Sequence, residues 1–313
     1  MPNRMRHTLR LAAGIMTLVF LPLAPVTLGS KSQAIQEQAE RLFVTSISQL
    51  TSQKKLKTHK GREFTLLVGS EGSDRVTHRF LVQAGLHGNE VDTSKFVLWL
   101  AERYSKGESL LNRLPKTGVD FLPYANPDGA ITGSRNNAVG VNLNRNFNIL
   151  WGMTDENPGQ APFSEPEAKA IQALFKSRNY TSAVDVHGYI NWIVGPSNLN
   201  ALGKNINIDR KRQERFRKWS KILEEKTQDL ASYKYKTAAE LGDGGAFEDW
   251  AFWQENVLAY CLEMVADKSF FHPTAGFQKV PSLEGEKKFH RYEQFIFEMF
   301  SKATEIDSQT VSH

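Results

Sequence analysis

The sequence predicts an α/β fold with helices on both faces of a central sheet. Two observations carry this: short apolar strand-like runs alternate with helical stretches, and polar loops separate them at short intervals. A third is bulk. The chain has 313 residues, 40% hydrophobic and 11% aromatic, which suits one large core and excludes a disordered or fibrous chain. No internal repeat or low-complexity segment interrupts it, so residues 35–313 read as a single domain.

Gln33 to Gln53 reads as a helix with Ile35, Leu42, Phe43, Ile47 and Leu50 on one face. Phe64 to Val68 and Phe80 to Ala84 read as buried strands. Glu90 to Tyr104 reads as a helix, with Phe96, Val97, Leu100 and Tyr104 on one side, and Val119 to Pro123 as a third strand. Ser164 to Glu167 opens another helix, with Ser164 as N-cap and Glu167 completing a capping box. Thr181 to Val186 is a strand ending at His187. A long charged helix covers about Asp209 to Leu230, Val257 to Leu262 is a strand, and Leu283 to Lys302 is a C-terminal helix. The basic start of the charged helix reads as a solvated face.

Residues 1–34 read as a signal peptide. A basic stretch to Arg10 precedes an apolar run from Leu11 to Leu28, and Ser32-Gln33-Ala34 offers a cleavage site after Ala34, with Gly29 as a second candidate. The alternative is an uncleaved anchor, because the run is almost long enough to span a bilayer. Cleavage predicts a secreted or periplasmic protein without stable membrane insertion. Four of the five excess positive charges, on Arg4, Arg6, Arg10 and Lys31, lie in this acid-free segment, so the remainder is near +1. A nearly neutral body gives no nucleic-acid footprint. Cys261 is the only cysteine, which excludes an intramolecular disulfide. In its apolar run it reads as a buried core residue.

Ligands of α/β folds gather beyond the strand C-termini. His87, His187 and Glu263 fall at or just past strand ends. His87 and Glu90 can converge on one metal if the chain turns between them, and Gly88 permits a turn. That pair alone is a weak signal, equally readable as a surface His beside a helix-start Glu. His187, distant in sequence, is a candidate for the usual third ligand of a catalytic zinc site with one open position, its plain alternative being a satisfied His at a strand end. Asp185 is a candidate partner for His187, although strand alternation is an argument for its pointing away.

These segments resemble the zinc metallocarboxypeptidase family, of carboxypeptidase A/B type, from about Phe64 to Met264. The matching segments are His87-Gly88-Asn89-Glu90, Asn126-Pro127-Asp128-Gly129, Ser134-Arg135-Asn136-Asn137, Gly140 to Phe147, Phe163 to Glu167, Val186-His187-Gly188-Tyr189 and Leu262-Glu263. Each is short, but seven in the right order are specific. The resemblance implies a mixed, twisted sheet of about eight strands. It implies one zinc ion on His87, Glu90 and His187, and a catalytic glutamate at Glu263. Arg145 with Asn144 would clamp the substrate's terminal carboxylate, and Arg135 would polarise the scissile carbonyl. Tyr189 matches a tyrosine that follows the third ligand. Physical chemistry agrees: a guanidinium grips a carboxylate bidentately, never deprotonates, and can face an oxyanion.

The sequence departs from the family at two places. Asn142 stands where relatives commonly carry the Asp that orients a zinc-binding His; its carbonyl oxygen can still accept, with less charge. The loop Leu241-Gly242-Asp243-Gly244-Gly245 has no tyrosine where the family's mobile one falls. Glu248 occupies the position that sets side-chain preference at the pocket base, which suggests a basic or amine-bearing C-terminal residue, with Asp243 as a second acid. A solvent-facing Glu248 is the plain alternative. The expected substrate is a peptide with a free C-terminal carboxylate; for an exported bacterial enzyme it could be a cell-wall peptide carrying diaminopimelate. A murein peptide amidase or N-acyl amino acid deacylase of the same superfamily, and a silent binding module, are the competing functions. Only about 30 residues separate Ala34 from the first strand, short for an inhibitory pro-domain, so synthesis as an active enzyme is expected; a monomer is expected separately.

Overall fold

The computed structural model describes residues 44–69, 76–203, 208–265 and 283–311. In chain order the elements are β1 (Val44–Ser46), α1 (Ile47–Leu50), β2 (Thr65–Val68), β3 (His78–Ala84), α2 (Val91–Ser105), β4 (Thr117–Leu122), α3 (Pro127–Thr132), α4 (Pro166–Arg178), β5 (Ser182–Gly188), β6 (Trp192–Gly195), α5 (Arg210–Thr227), β7 (Lys234–Thr237), α6 (Phe247–Trp253), β8 (Leu258–Met264) and α7 (Leu283–Val311). The strands form one mixed sheet in the order β1-β2-β4-β3-β5-β8-β6-β7. Its count reaches eight only with the three-residue edge strand β1; seven strands have four residues or more. The predicted signal peptide, residues 1–34, lies outside the described residues.

Alternation along the central strands builds two cores. Phe80, Val82, Val184, Val186, Tyr260 and Leu262 face one side, where α2, α5 and α7 pack with Phe96, Trp219 and Phe295. Leu81, Ala183 and Ala259 face the other, against Ile171 and Leu174 of α4 and Trp250 of α6. Helices on both faces are what a sheet with two apolar faces requires. The charged α5 keeps only a narrow apolar stripe, Phe216, Trp219 and Leu223, at spacings of three and four. Trp219 adds a hydrogen bond from Nε1 to the Ala259 carbonyl, 2.9 Å. The solvated-face reading of this helix therefore holds.

Three sequence expectations need correction. Within its described part, the Gln33–Gln53 helix is replaced by β1 and the four-residue α1. Val44–Ser46 pairs antiparallel with Thr65–Leu67, and the Ser46 hydroxyl accepts from Ser48 N to restart the chain as α1. Strand pairing overrides helical periodicity there. The capping box at Ser164 is absent: α4 begins one residue later, with Glu165 as N-cap, no side-chain cap and Pro166 in the first turn. Ser164 Oγ instead donates to Glu165 Oε1, 2.7 Å. Finally, β5 and β8 run on to Gly188 and Met264, so His187 and Glu263 sit inside strands and their side-chain directions are fixed by the pleat. The four-residue strands β6 and β7 were not expected from the sequence, because so few residues carry too little alternation to mark a strand.

β4, β3, β5 and β8 are mutually parallel. Their C-terminal ends therefore open on one edge of the sheet, where loops converge.

Candidate active site

The site forms at that edge. After β3 the chain passes through Gly85 at φ +75°, a left-handed conformation that glycine adopts without strain. His87 and Glu90 follow. Gly88 is required for a different reason from the turn expected of it: a Cβ there would collide with the Gly129 and Ala130 backbone at the start of α3. Gly88→Ala should push the His87–Glu90 turn off α3 at a cost of about 1–3 kcal/mol. In a domain of this size that lowers Tm by about 2–4 °C per kcal/mol. A thermal melt checks this, and an unchanged Tm would show that the turn yields freely.

His187 and Glu263 are register partners in the parallel pair β5 and β8, so they share a face. Residues two apart on a strand also share a face, which puts Asp185 beneath His187 and overturns the expectation that alternation separates them. Asp185 Oδ2 lies 2.8 Å from His187 Nε2. A carboxylate only accepts, so that nitrogen carries the proton and Nδ1 faces the cluster. His187 Nδ1 is 3.0 Å from His87 Nδ1 and 3.1 Å from Glu90 Oε2. His87 Nδ1 is 2.9 Å from Glu90 Oε1. The Gly188 N–H donates to Glu90 Oε2 at 3.1 Å and steadies that carboxylate.

His87, Glu90 and His187 therefore offer three ligand atoms within 4.8 Å of one another. Their separations of 2.9 to 3.1 Å lie near the ~3.3 Å that tetrahedral ligands about 2.0–2.1 Å from a zinc ion would show. Two imidazoles and one carboxylate are also a catalytic zinc donor set. The electrostatics point the same way. Burial works to lower the His187 pKa, but Asp185 and Glu90 outweigh it and raise it well above the ordinary value. Burial works to raise the Glu90 pKa, but His187 and His87 hold it far below the usual carboxylate range. Burial, followed by His187 and Arg135, lowers His87 despite Glu90. Glu90 is held ionised between the two imidazoles, so one carboxylate and two ring nitrogens present a donor set that fits a divalent cation.

Around this cluster stand the remaining predicted residues. Burial raises the Glu263 pKa to about 7, and its Oε2 has no hydrogen-bond partner among the described residues. Arg135 brings its NH1 to 3.1 Å from His87 Nδ1 and 3.5 Å from Glu90 Oε1. Arg145 is buried, and its side chain is already engaged. Nε donates to Thr154 Oγ1 at 3.2 Å, NH1 to the Asn144 carbonyl at 2.9 Å, and NH2 to Glu156 Oε1 at 2.9 Å and to Asp243. Asp243 thus fills, with Arg145 as its partner, part of the loop where the family tyrosine is missing. Asn144 accepts from Phe247 N at 2.9 Å, which ties its oxygen to the start of α6 and leaves its amide nitrogen as the donor end. Tyr189 follows Gly188 and lies against Asp92 and Glu90; burial, then these acids, raise its pKa. Glu248 is only 1% exposed, so it does not face solvent. Burial first, then Asp249, Asp243 and Asp185, push its pKa well up, and its Oε2 is unpartnered among the described residues.

Sequence reasoning missed Glu156. Its carboxylate lies between Arg135 and Arg145 and accepts from both. A single acid in a loop gives no periodic or spacing signal, and its plain reading is a solvated charge. A second group, His59, Glu165 and Glu167, also brings three ligand atoms within 4.8 Å. There the Asn137 amide already donates to Glu165 Oε2, 2.7 Å, and to Glu167 Oε2, 3.4 Å, so a donor occupies the gap between the carboxylates.

The chain is similar to known proteins in both sequence and fold. A family model described as zinc carboxypeptidase matches residues 37–284. Carboxypeptidase A4 of Mus musculus is 28% identical over 192 residues, covering 52% of this chain and 46% of its own length. The carboxypeptidase N catalytic chain of Mus musculus is 29% identical over 162 residues, covering 42% of this chain and 33% of its own. The chain thus spans half or less of the length of these relatives. The fold resembles the crystal structure of carboxypeptidase A from Helicoverpa armigera, with TM-score 0.60, 20% identity and coverage of 88% and 73% of the two chains. It also resembles bovine thrombin-activatable fibrinolysis inhibitor in complex with tick carboxypeptidase inhibitor, with TM-score 0.58, 19% identity and coverage of 88% and 95%. Among the described residues no helix is long and apolar enough to cross a membrane. With the family model matched across most of its length and the three ligand atoms gathered at one strand edge, this chain belongs to the zinc carboxypeptidase family.

Proposed function

We propose that this protein is a zinc-dependent metallocarboxypeptidase that removes the C-terminal residue of a peptide with a free carboxylate. The observation that carries the reading is the convergence of His87, Glu90 and His187 on one point, with Glu263 on the same sheet face and Arg135 against the cluster. One zinc ion held by the three ligands would lower the pKa of a water molecule and polarise the substrate carbonyl. Glu263 takes the proton from the attacking water and hands it to the leaving amine, a role suited to a carboxyl whose pKa lies near 7. Arg135 donates to the oxygen on which negative charge develops. Arg145 binds the terminal carboxylate, which exchanges with Asp243 on the guanidinium. Asn144 adds its amide nitrogen, and Tyr189 lines the wall beside Glu90.

Glu248 and Asp243 give the reading a substrate preference. Burial holds Glu248 toward its neutral form with one oxygen unpartnered, and a cationic substrate side chain would stabilise its ionised form. A C-terminal Lys or Arg, or the amine of diaminopimelate in a cell-wall peptide, has the required chemistry. The exported location rests on the basic and apolar N-terminal segment alone.

The test is product analysis of peptides ending in Lys, Arg or Phe, and of muropeptides, by mass spectrometry. Release of single basic or diaminopimelate residues, with no cleavage of C-terminally amidated peptides, is expected. Release of Phe alone would contradict the acidic pocket, and release of an acyl group or an internal fragment would favour the deacylase or amidase. Arg145→Ala should raise KM about 10- to 100-fold, the loss of one or two charge-assisted hydrogen bonds. An unchanged KM would remove Arg145 from substrate binding.

A further inference from the structure

Glu156 lies in the loop between the Leu143–Arg145 turn and α4, and its carboxylate accepts four hydrogen bonds from three side chains. Arg135 donates from Nε at 3.1 Å and NH2 at 3.2 Å, Arg145 from NH2 at 2.9 Å, and Asn142 from Nδ2 at 2.7 Å. The Asn142 bond has a consequence at the ligand cluster. Asn142 is fully buried, and its Oδ1 accepts from the Asn144 main-chain N–H at 3.0 Å while lying 3.1 Å from His87 Nε2. A main-chain N–H at one end and a carboxylate at the other demand the same amide orientation. Turning the amide over would set NH2 against N–H and oxygen against carboxylate, losing both bonds. The oxygen is therefore held toward His87, so Nε2 must carry the proton, and Nδ1 is left to face Glu90 and His187.

The two imidazoles are thus oriented differently. His187 meets a carboxylate directly, at Asp185. His87 meets a neutral amide whose other end is pinned by a carboxylate. We propose that Glu156 is the positioning residue for His87: through the Asn142 amide it fixes the ring tautomer and supplies at one remove the negative charge that Asp185 supplies to His187 directly. Outer-shell partners of this kind raise ligand basicity and hold ring orientation. The same carboxylate aligns Arg135 and Arg145, so one loop residue registers the ligand cluster against both cationic groups. The inference rests on the reading that His87, Glu90 and His187 hold zinc.

The test is a zinc dissociation constant, measured by competition with a chromophoric chelator at fixed neutral pH, for the full chain and four variants. Glu156→Ala should weaken zinc binding about tenfold or more, within the range for outer-shell partners. The double variant Glu156→Ala with Asn142→Asp should recover most of that loss, because the carboxylate then touches His87 itself and no longer faces a second acid. Glu156→Gln should also weaken zinc binding, and with Asn142→Asp it provides the same cycle if the alanine variant does not fold. Unchanged affinity in Glu156→Ala, or a loss that Asn142→Asp leaves in place, would overturn the inference, since general collapse of the loop would not be rescued by a new carboxylate at position 142. Intact wild-type binding with unchanged variants sinks this inference alone; a wild type that takes up no zinc sinks the site assignment beneath it.

Discussion

His187→Ala should abolish zinc binding and reduce peptide hydrolysis by about three orders of magnitude or more, the scale of losing metal-assisted water activation. His187 is 1% exposed, sits in the central strand β5 and shares its two nitrogens between Asp185 and the ligand cluster. Its removal takes away one ligand and leaves Asp185, itself 0% exposed, without its partner. That second effect destabilises the fold as well, on the order of 3–5 kcal/mol for breaking a buried charged pair. Glu90→Gln separates the two. It keeps the shape of the side chain and removes the charge, so zinc content should fall while the circular dichroism spectrum stays. Wild-type zinc content in both variants would contradict the assigned ligands.

Glu263→Gln should lower kcat by about 10²- to 10⁴-fold, the usual worth of a positioned general acid–base group, with KM and zinc content near those of the wild type. The pH profile gives the sharper reading. Burial raises the Glu263 pKa to about 7, and the carboxyl can take a proton only when ionised. Activity is therefore present above that pKa and lost as pH falls through it. A bound divalent cation at the neighbouring ligand cluster favours the ionised form and moves the midpoint downward. In the Gln variant the acid limb due to this group should vanish. Turnover that matches the wild type at all pH values would remove Glu263 from the mechanism.

The candidate ligand cluster and Glu263 were legible in the sequence because each residue stands at a recognisable place. His87 follows an apolar run and lies three residues before Glu90, while His187 and Glu263 close two further apolar runs. The pleat then does the rest, aligning His187 with Glu263 across neighbouring strands. The resemblance alone pointed to Arg135, Asn144 and Arg145 as candidate substrate contacts; composition would leave the two arginines as loop charges. What stayed hidden depends on loops folding back across the site. Glu156 reaches Arg135 and Arg145 from 21 and 11 residues away, with no periodicity to mark it. The engagement of Arg145 by Asp243 spans 98 residues. The N-terminal strand β1 was masked by helical periodicity because pairing with β2, a tertiary fact, decides its conformation. The misplaced cap at Ser164 shows a one-residue limit: Pro166 suits the first helical turn, so the cap falls on Glu165.

The most direct measurement is anomalous diffraction at the zinc absorption edge from crystals of the full chain grown with zinc. The account predicts one strong peak about 2.0–2.1 Å from His87 Nδ1, a Glu90 carboxylate oxygen and His187 Nδ1. A peak at His59, Glu165 and Glu167 instead, or a crystal in which His87, Glu90 and His187 bind no ion, would contradict it.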